Sequence, residues 1–445
     1  MESAANSSGK FPRINRDLVA PLLTTGRPYF LLVGLLACIV AVGAGAWIYQ
    51  IETGIGQTNL HPPIFWGIYI ASFVYWIGVS HSGTFISGAL RIAGAEWRRP
   101  ITRIAELMTL ITIIVASIFI FVHLGRSWRW YYLLPYPNQR TIWPDFRSPL
   151  LWDATAIFTY AISSTIYLYL PLIPDFALMR DRIGGWRQPL YRFLAIGWQG
   201  SQRQWRALKM AIRIITPLIF MIAVSVHSIV GFDFAMALVP MWHSSVFAPY
   251  FVAGAVHSGL AMVVVGMYFL RKAYRLEDYV RPAHFDKVGK LMVAVTLTWG
   301  YLYFCDKMTA WYGMIPAEMV PLMSQMTGPY ALPQWIMVSC NFIIPMLTLT
   351  QPAFRRWPIG MMVVGILINI GMYIERVLII VPPLAQPRLS YNWSSYFPSG
   401  VEFTIVLGLL ALGVLLYALL AKFVPVISIW EEKEGRHYDR QPEHR

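Results

Sequence analysis

The stretch that decides the fold is LMTLITIIVASIFIFVHLGR, residues 107–126, an apolar run that closes on His123. A second run, RSPLLWDATAIFTYAISSTIYLYL, residues 147–170, begins a short polar segment later and carries Asp153 near its start. About 20 mostly apolar residues cross the hydrocarbon core of a bilayer as an α-helix. The two runs therefore predict consecutive membrane helices that place His123 and Asp153 at the same membrane face and at similar depth.

The composition places the whole chain in the same class. Of its 445 residues, 57% are hydrophobic and only 13% are charged, whereas soluble domains carry about 25% charged residues. Ten apolar runs have about the length of a membrane span. Their cores are Tyr29–Tyr49, Ile64–Leu90, Ile104–Leu124, Leu150–Leu172, Ile212–Gly231, Val246–Leu270, Leu291–Trp311, Trp335–Leu349, Ile359–Val381 and Val401–Ala421. We therefore predict an all-α polytopic membrane protein with ten transmembrane helices.

The basic residues predict the orientation of these helices. All but seven of the 36 lysines and arginines fall in the termini and in every second loop. The seven exceptions are Arg126, Arg129, Arg140, Arg147, Lys307, Arg376 and Arg388. Because cytoplasmic loops carry the excess of Lys and Arg, both termini are predicted to be cytoplasmic. This topology accounts for most of the net charge of +14, and no basic soluble domain indicates a nucleic-acid partner.

The cysteines and histidines bear on bound cofactors. All three cysteines lie in or beside predicted spans, and the sequence has no CxxCH or clustered cysteine pattern. We therefore predict neither a metal site nor a covalent haem in this chain. A haem b held by two histidines is an alternative, with His81/His257 or His123/His227 at matching depths. Against it, no helix carries two histidines spaced for two haem layers.

A repeated motif predicts how the spans are grouped. SHSGTFISGALRI, residues 80–92, and VHSGLAMVVVGMYFLRK, residues 256–272, each place His-Ser-Gly in mid-span before cytoplasmic basic residues. This similarity predicts two four-helix bundles repeated in parallel orientation, helices 2–5 and 6–9, with helices 1 and 10 flanking them. The predicted divisions are 1–28 (cytoplasmic tail), 29–63 (helix 1 and its outside loop), 64–231 (first bundle), 246–381 (second bundle), 382–422 (outside loop and helix 10) and 423–445 (cytoplasmic tail).

The pair formed by His123 and Asp153 is suited to proton-coupled chemistry on a lipid-soluble substrate. Ionisable side chains at membrane depth are costly to bury and are therefore functional candidates. A quinol offers two hydroxyl groups and releases two protons on oxidation, and a histidine beside a carboxylate can both hold the ring and accept a proton. The alternative is a purely structural tie between helices 3 and 4.

The loop that joins the two residues favours the functional interpretation. Residues 125–149 contain four arginines, four prolines and many aromatic side chains, and this excess of arginine runs against the charge rule that the other outside loops obey. The sequence therefore predicts a docked partner or an anionic ligand at this face. Arg126, Tyr132 and Trp152 are additional candidate contacts for a quinol ring.

Other ionisable residues of the spans form a candidate proton path, or simply tie helices together. They are His81, Glu106, His227, Asp233, His257, Asp306 and Glu375. Their presence supports a second hypothesis, a proton-conducting subunit that has no quinol site of its own.

His123-Leu-Gly-Arg126 and Ser148-Pro149-Leu-Leu-Trp152-Asp153 together resemble the NrfD/PsrC family of quinone-reactive membrane subunits. The resemblance covers helices 2 to 9. With ten helices and both termini inside, the chain is more similar to the ActC subunit of bacterial alternative complex III than to the eight-helix polysulfide reductase anchor. The sister subunit ActF shares fold and length but lacks a competent quinol site, so the intact pair of His123 and Asp153 favours the ActC type.

The resemblance also implies a function and its partners. The chain would oxidise quinol, menaquinol rather than ubiquinol, near the periplasmic face of a bacterial inner membrane, with no metal or haem of its own. Electrons would pass to a periplasmic iron–sulfur protein, within a complex that also holds a multihaem cytochrome c and further membrane subunits, and protons would be translocated. Ile336 and Lys307 replace the carboxylate and histidine in the second bundle, which leaves one site. The alternative within the family is a quinone-reducing anchor of a polysulfide-reductase-like molybdoenzyme.

Overall fold

The computed structural model describes residues 12–133, 146 and 149–438. Within these residues the regular secondary structure is helical, apart from an isolated bridge between His61 and Ile64. The helices are α1 Pro12–Leu23, α2 Arg27–Thr53, α3 Ile68–Gly83, α4 Arg99–His123, α5 Pro149–Arg182, α6 Arg187–Leu194, α7 Gln202–Phe232, α8 Phe247–Ala273, α9 Pro282–Gly313, α10 Pro316–Met326, α11 Ala331–Val338, α12 Ile344–Leu349, α13 Pro352–Arg355, α14 Pro358–Ala385, α15 Gly400–Leu420 and α16 Ile429–Tyr438.

The predicted class, an all-α polytopic membrane protein, is confirmed. Nine helical segments of the described chain are long and apolar enough to cross a membrane. The remaining predicted span, the second, is α3 extended by a π-helical segment, Thr84–Ala89, and a last turn, Leu90–Ile92. It begins at Ile68 rather than at Ile64, because Ile64 is held in the bridge to His61.

Large apolar side chains cover the outside of the helical assembly. On α2 only Leu36, Gly43 and Gln50 are buried, one residue in every seven, so a single narrow stripe of this helix faces the protein. Phe30 and Leu31 on the same helix are 64% and 74% exposed. A soluble protein avoids so continuous an apolar surface, and a bilayer provides the matching solvent. The chain is an integral multi-pass membrane protein.

For description we divide the helices into a first helical group, α3, α4, α5 and α7, and a second helical group, α8, α9, α11, α12 and α14. The helix α3 packs against α4 and α8, α5 packs against α7, and α8 also packs against α9 and α14. The flanking helices α2 and α15 pack against each other. They approach most closely at Gly43 and Gly408, where a Cβ atom on Gly43 would lie 2.6 Å from the Gly408 Cα. Small residues at such crossings let membrane helices pack closely.

Prolines inside the helices leave carbonyl groups free, and polar side chains bind them. Proline has no N–H and cannot bond to the carbonyl four residues earlier. Opposite Pro382, the Leu378 carbonyl accepts a hydrogen bond from Gln325 Nε2 at 3.2 Å. Opposite Pro383, the Ile379 carbonyl accepts one from Trp242 Nε1 at 2.9 Å. These contacts satisfy the helix interruptions inside the protein, as a bilayer requires.

We call the face that carries α1 and α16 the inner face, and the opposite face the outer face. The helix α4 ends at the outer face and α5 begins there. The helix α7 returns to the outer face and ends at Phe232. The outer ends of these three helices, which belong to the first group, hold the candidate site.

Candidate functional site

Three ionisable side chains lie at the outer end of the first helical group. His123 is the last residue of α4, Asp153 lies in the first turns of α5, and Asp233 directly follows α7. The two aspartates are buried, at 5% and 9% exposure. The fold therefore places them where the apolar helices meet the outer boundary.

The Asp153 and Asp233 carboxyl groups lie within reach of each other. A carboxylate can only accept a hydrogen bond, so a hydrogen bond between them requires a proton on one of the two groups. Two carboxyl groups in contact therefore act as a unit that holds and exchanges one proton. The sequence assigns Asp233 to the proton path but does not indicate this contact, because Asp233 lies 80 residues away in a turn.

Within the described part of the chain, His123, Asp153 and Asp233 each keep a sheltered atom without a hydrogen-bond partner. These atoms are His123 Nδ1, Asp153 Oδ1 and Asp233 Oδ1. The His123 ring and the Asp153 carboxylate, both described, form no ion pair within 4.0 Å. Buried polar atoms are normally paired, so the three free atoms indicate a place for water or for a polar ligand.

The other predicted ligand contacts, which lie near His123 and Asp153 in the sequence, are more exposed. Trp152 Nε1 donates a hydrogen bond to the Phe146 carbonyl at 2.7 Å. Tyr132 is 53% exposed, with the Arg129 guanidinium 5.9 Å from its ring centroid, and Arg126 is exposed. Of the predicted docking loop, residues 134–145 and 147–148 lie outside the described residues.

A histidine cluster lies deeper in the first group. The rings of His81 and His227 are 4.7 Å apart, and Tyr160 stacks on His81 at 4.8 Å. His81 Nδ1 is 2.7 Å from the Ile77 carbonyl, and its Nε2 is 2.9 Å from the Ala223 carbonyl. Because backbone carbonyls take both ring nitrogens, neither is available to a haem iron. Within the described chain, neither His227 ring nitrogen has a hydrogen-bond partner of normal geometry.

A buried charge cluster lies toward the inner face. Glu106 Oε1 accepts a hydrogen bond from Ser87 at 2.6 Å, and Ser87 also contacts the Tyr167 hydroxyl at 2.8 Å. Arg103 lies 3.6 Å from Glu106 and 3.3 Å from Asp175. Arg103 is fully buried. The sequence identifies Glu106 as a candidate but not Arg103 and Asp175. The position of Asp175, a carboxylate inside the apolar run of α5, could have indicated a buried ion pair.

The predicted path residues of the second helical group lie in separate contacts. Glu375 Oε1 accepts hydrogen bonds from Tyr250 and, at 2.8 Å, from Trp299 Nε1. Glu375 Oε2 lies 3.5 Å from Arg376 Nη1. The Arg376 guanidinium lies 4.7 Å from the Phe251 ring, so this charge sits between α8 and α14.

His257 and Asp306 complete the predicted set. His257 Nε2 contacts the Asn341 carbonyl at 3.2 Å, which Pro345 leaves without its helical partner. The helix is π-helical at this point, Ser339–Ile343, so the eighth predicted span is irregular. Asp306 lies 3.4 Å from Lys307, whose Nζ donates to Gln325 at 3.2 Å. In the described part of the chain, no group of three or more His, Cys, Asp or Glu side chains is arranged to hold a metal ion.

Comparisons with known proteins find relatives along nearly the whole chain. The family model described as polysulphide reductase, NrfD, matches residues 56–388. A protein of Halobacterium salinarum, named as the membrane subunit of a candidate dimethyl sulfoxide reductase, is 25% identical over 92% of this chain and 94% of that protein. The Hdr-like menaquinol oxidoreductase integral membrane subunit of Archaeoglobus fulgidus is 23% identical over 90% of this chain and 94% of that protein. A selenate reductase subunit of Mesobacillus selenatarsenatis is 21% identical over 92% of this chain and 97% of that protein.

Proposed function

The chain belongs to the NrfD family, and we propose that it is the quinol-binding and quinol-oxidising membrane subunit of an oxidoreductase complex. The relatives are subunits of oxidoreductases, and one is named for menaquinol. The observation that carries the proposal is the set of polar atoms on His123, Asp153 and Asp233, at the outer end of the first helical group, that have no hydrogen-bond partner among the described residues.

These atoms match the hydrogen-bonding needs of a quinol. Its two hydroxyl groups each donate one hydrogen bond, and a neutral imidazole nitrogen or a carboxylate oxygen accepts it. The apolar tail would remain in the bilayer beside the exposed apolar side chains of the helices. Arg126, Tyr132 and Trp152 lie at the outer rim, where they would close the ring off from water.

Oxidation breaks two O–H bonds and releases two protons and two electrons. We assign one proton to His123 and the other to the pair of Asp153 and Asp233, whose neighbouring carboxyl groups can hold a proton and pass it on. The two electrons leave through a docked partner, since the described residues form no metal site. Menaquinol is the proposed substrate, because two relatives are named for menaquinol or menaquinone.

The finer assignment is to the ActC type of subunit in an alternative complex III of a bacterial inner membrane. In that assignment a periplasmic iron–sulfur protein docks at the outer face, with a multihaem cytochrome c and further membrane subunits beyond it, and both termini are cytoplasmic. The intact His123 and Asp153 support it. Isolation of the complex with its partner subunits, followed by mass spectrometry, tests this assignment.

Substitution of the site residues tests the proposal directly. His123→Ala and Asp153→Asn should each abolish quinol-dependent reduction of the partner while the complex still assembles. We expect a loss of roughly 10² to 10⁴ in turnover for each, the range for removal of a general acid or base. Full quinol turnover in either variant would refute the assignment of the site.

A second candidate function is proton conduction, either coupled to quinol oxidation or without it. The contact between His81 and His227, and the inner cluster of Ser87, Glu106 and Tyr167, support it. The complex in liposomes should then acidify one compartment during quinol turnover. Glu106→Gln should abolish this acidification and leave turnover measurable. A pH gradient that forms equally well in the variant would exclude Glu106 from the path.

A further inference from the structure

We propose that the inner face carries a binding site for the headgroup of an anionic phospholipid. The site is a cavity of about 1180 Å³ between the inner ends of α3, α4 and α7, the first turns of α9 and the C-terminal helix α16. It lies at the opposite membrane face from the proposed quinol site and does not depend on quinol chemistry.

The lining of the cavity is rich in cations. Seven lysines and arginines line it, against five carboxylates. Several of these carboxylates are already neutralised by the lining itself. Glu431 accepts hydrogen bonds from Arg91 at 2.9 Å and from Arg98 at 3.2 Å, and Glu434 lies 2.7 Å from Lys209. Burial opposes the ionisation of Glu431, but the surrounding arginines hold its pKa below its usual range.

Three lining cations remain available to a ligand. Within the described chain, the charged ends of Arg213, Arg281 and Lys287 make no ion pair with a carboxylate inside 4.0 Å. The Arg281 Nε group donates only to the Asp278 carbonyl, at 3.0 Å. Lys287 lies 5.6 Å from the Trp97 ring. Three unpaired cations in one cavity suit a phosphate group, whose oxygens accept charge-assisted hydrogen bonds.

The position of the cavity selects a lipid rather than a soluble anion. Arg213 and Pro217 on α7 line the cavity, while Met210, Ile214 and Leu218 form an apolar stripe on the same helix, at 54%, 62% and 57% exposure. A lipid whose headgroup is bound by Arg213 would therefore place its acyl chains along this apolar stripe. Basic pockets between membrane helices on the cytoplasmic side are typical sites for anionic headgroups.

The test uses the purified, delipidated complex and follows its thermal unfolding during lipid titration. Phosphatidylglycerol should raise the unfolding temperature, and phosphatidylcholine or inorganic phosphate should not. Each lost cation weakens the attraction about fivefold. The triple variant R213Q/R281Q/K287Q should therefore bind phosphatidylglycerol at least tenfold more weakly. The single variant R281Q, expected to lose about fivefold, keeps the test decisive if the triple variant fails to fold.

The matched control is R192Q/R203Q/R206Q, which removes three exposed arginines of the same face that do not line the cavity. It should bind phosphatidylglycerol like the unmodified complex. Equal affinity in the two triple variants would overturn the proposal, as would equal stabilisation by phosphatidylcholine. Stabilisation by inorganic phosphate to the same extent would overturn the choice of a lipid.

Discussion

Replacement of Asp233 by asparagine separates the proton-transfer role of the aspartate pair from its structural role. Asparagine can donate a hydrogen bond to Asp153 but cannot take a proton. If Asp233 shares the released proton, turnover should fall by about 10² or more. The KM for quinol should change less than about fivefold, because loss of one hydrogen bond is worth about 1 kcal/mol, or roughly fivefold in affinity, and asparagine can still make a hydrogen bond to Asp153.

Asp233→Ala should behave differently. Alanine removes the hydrogen-bond partner of a carboxyl group that is only 5% exposed, and an unsatisfied buried group costs about 1–3 kcal/mol. We therefore expect the same loss of turnover with an additional increase in KM of roughly 5- to 150-fold, if the cost falls on the bound state. Quinol-dependent reduction of the partner in the purified complex measures both parameters.

Glu52→Gln is the matched control for both variants, because Glu52 is an exposed carboxylate near the outer end of α2. It should leave kcat and KM unchanged. The reasoning would be refuted if Asp233→Asn turned over quinol at the rate of the unmodified complex. It would also be refuted if Asp233→Asn and Glu52→Gln lost activity equally.

Three further predictions concern the fold. Arg103→Met leaves Glu106 and Asp175 without their buried partner and should lower the free energy of unfolding by about 3–5 kcal/mol. The thermal unfolding temperature of the complex should fall, and adding Asp175→Asn to the same chain should restore part of it. The side chain of Gly43→Leu would overlap the Gly408 backbone and should lower the free energy of unfolding by about 1–3 kcal/mol. The control is Gly45→Leu, whose added Cβ meets nothing within 4 Å and which should unfold at the temperature of the unmodified protein. The pKa of Glu431 is lowered in the folded state, so its contribution to the docking of α16 is complete above about pH 4.5 and is lost as the pH falls through the lowered pKa. Amide hydrogen exchange in residues 429–438 should therefore become faster at low pH. Glu431→Gln should remove this pH dependence.

The membrane fold is predictable because its determinants are local. An apolar run of sufficient length needs no partner to be read as a span, and the runs predicted at Tyr29–Tyr49 and Val401–Ala421 coincide with α2 and α15. The apolar runs do not predict where the helix becomes irregular within a span. The π-helical segment at Ser339–Ile343 depends on Pro345 and on His257, 84 residues away, which binds the freed Asn341 carbonyl.

The candidate site is only partly predictable for the same reason. His123 and Asp153 can be assigned to the same membrane face because the segment between the two helices that carry them is too short and too polar to form another span. The contact of Asp153 with Asp233 depends instead on how α7 packs against α5, and no local pattern encodes that packing. In the sequence Arg103 counts only as a topology-determining charge, and its burial beside Glu106 and Asp175 shows that it holds a charge cluster together.

The most direct test of the central claim is the position of a bound quinone in the assembled complex, determined by cryo-electron microscopy with a tight-binding quinone analogue. The account predicts one ring oxygen within hydrogen-bond distance of His123 and the other within hydrogen-bond distance of Asp153 or Asp233. A ring found beside Glu375 and Arg376 in the second helical group, with the outer end of the first group empty, would contradict it.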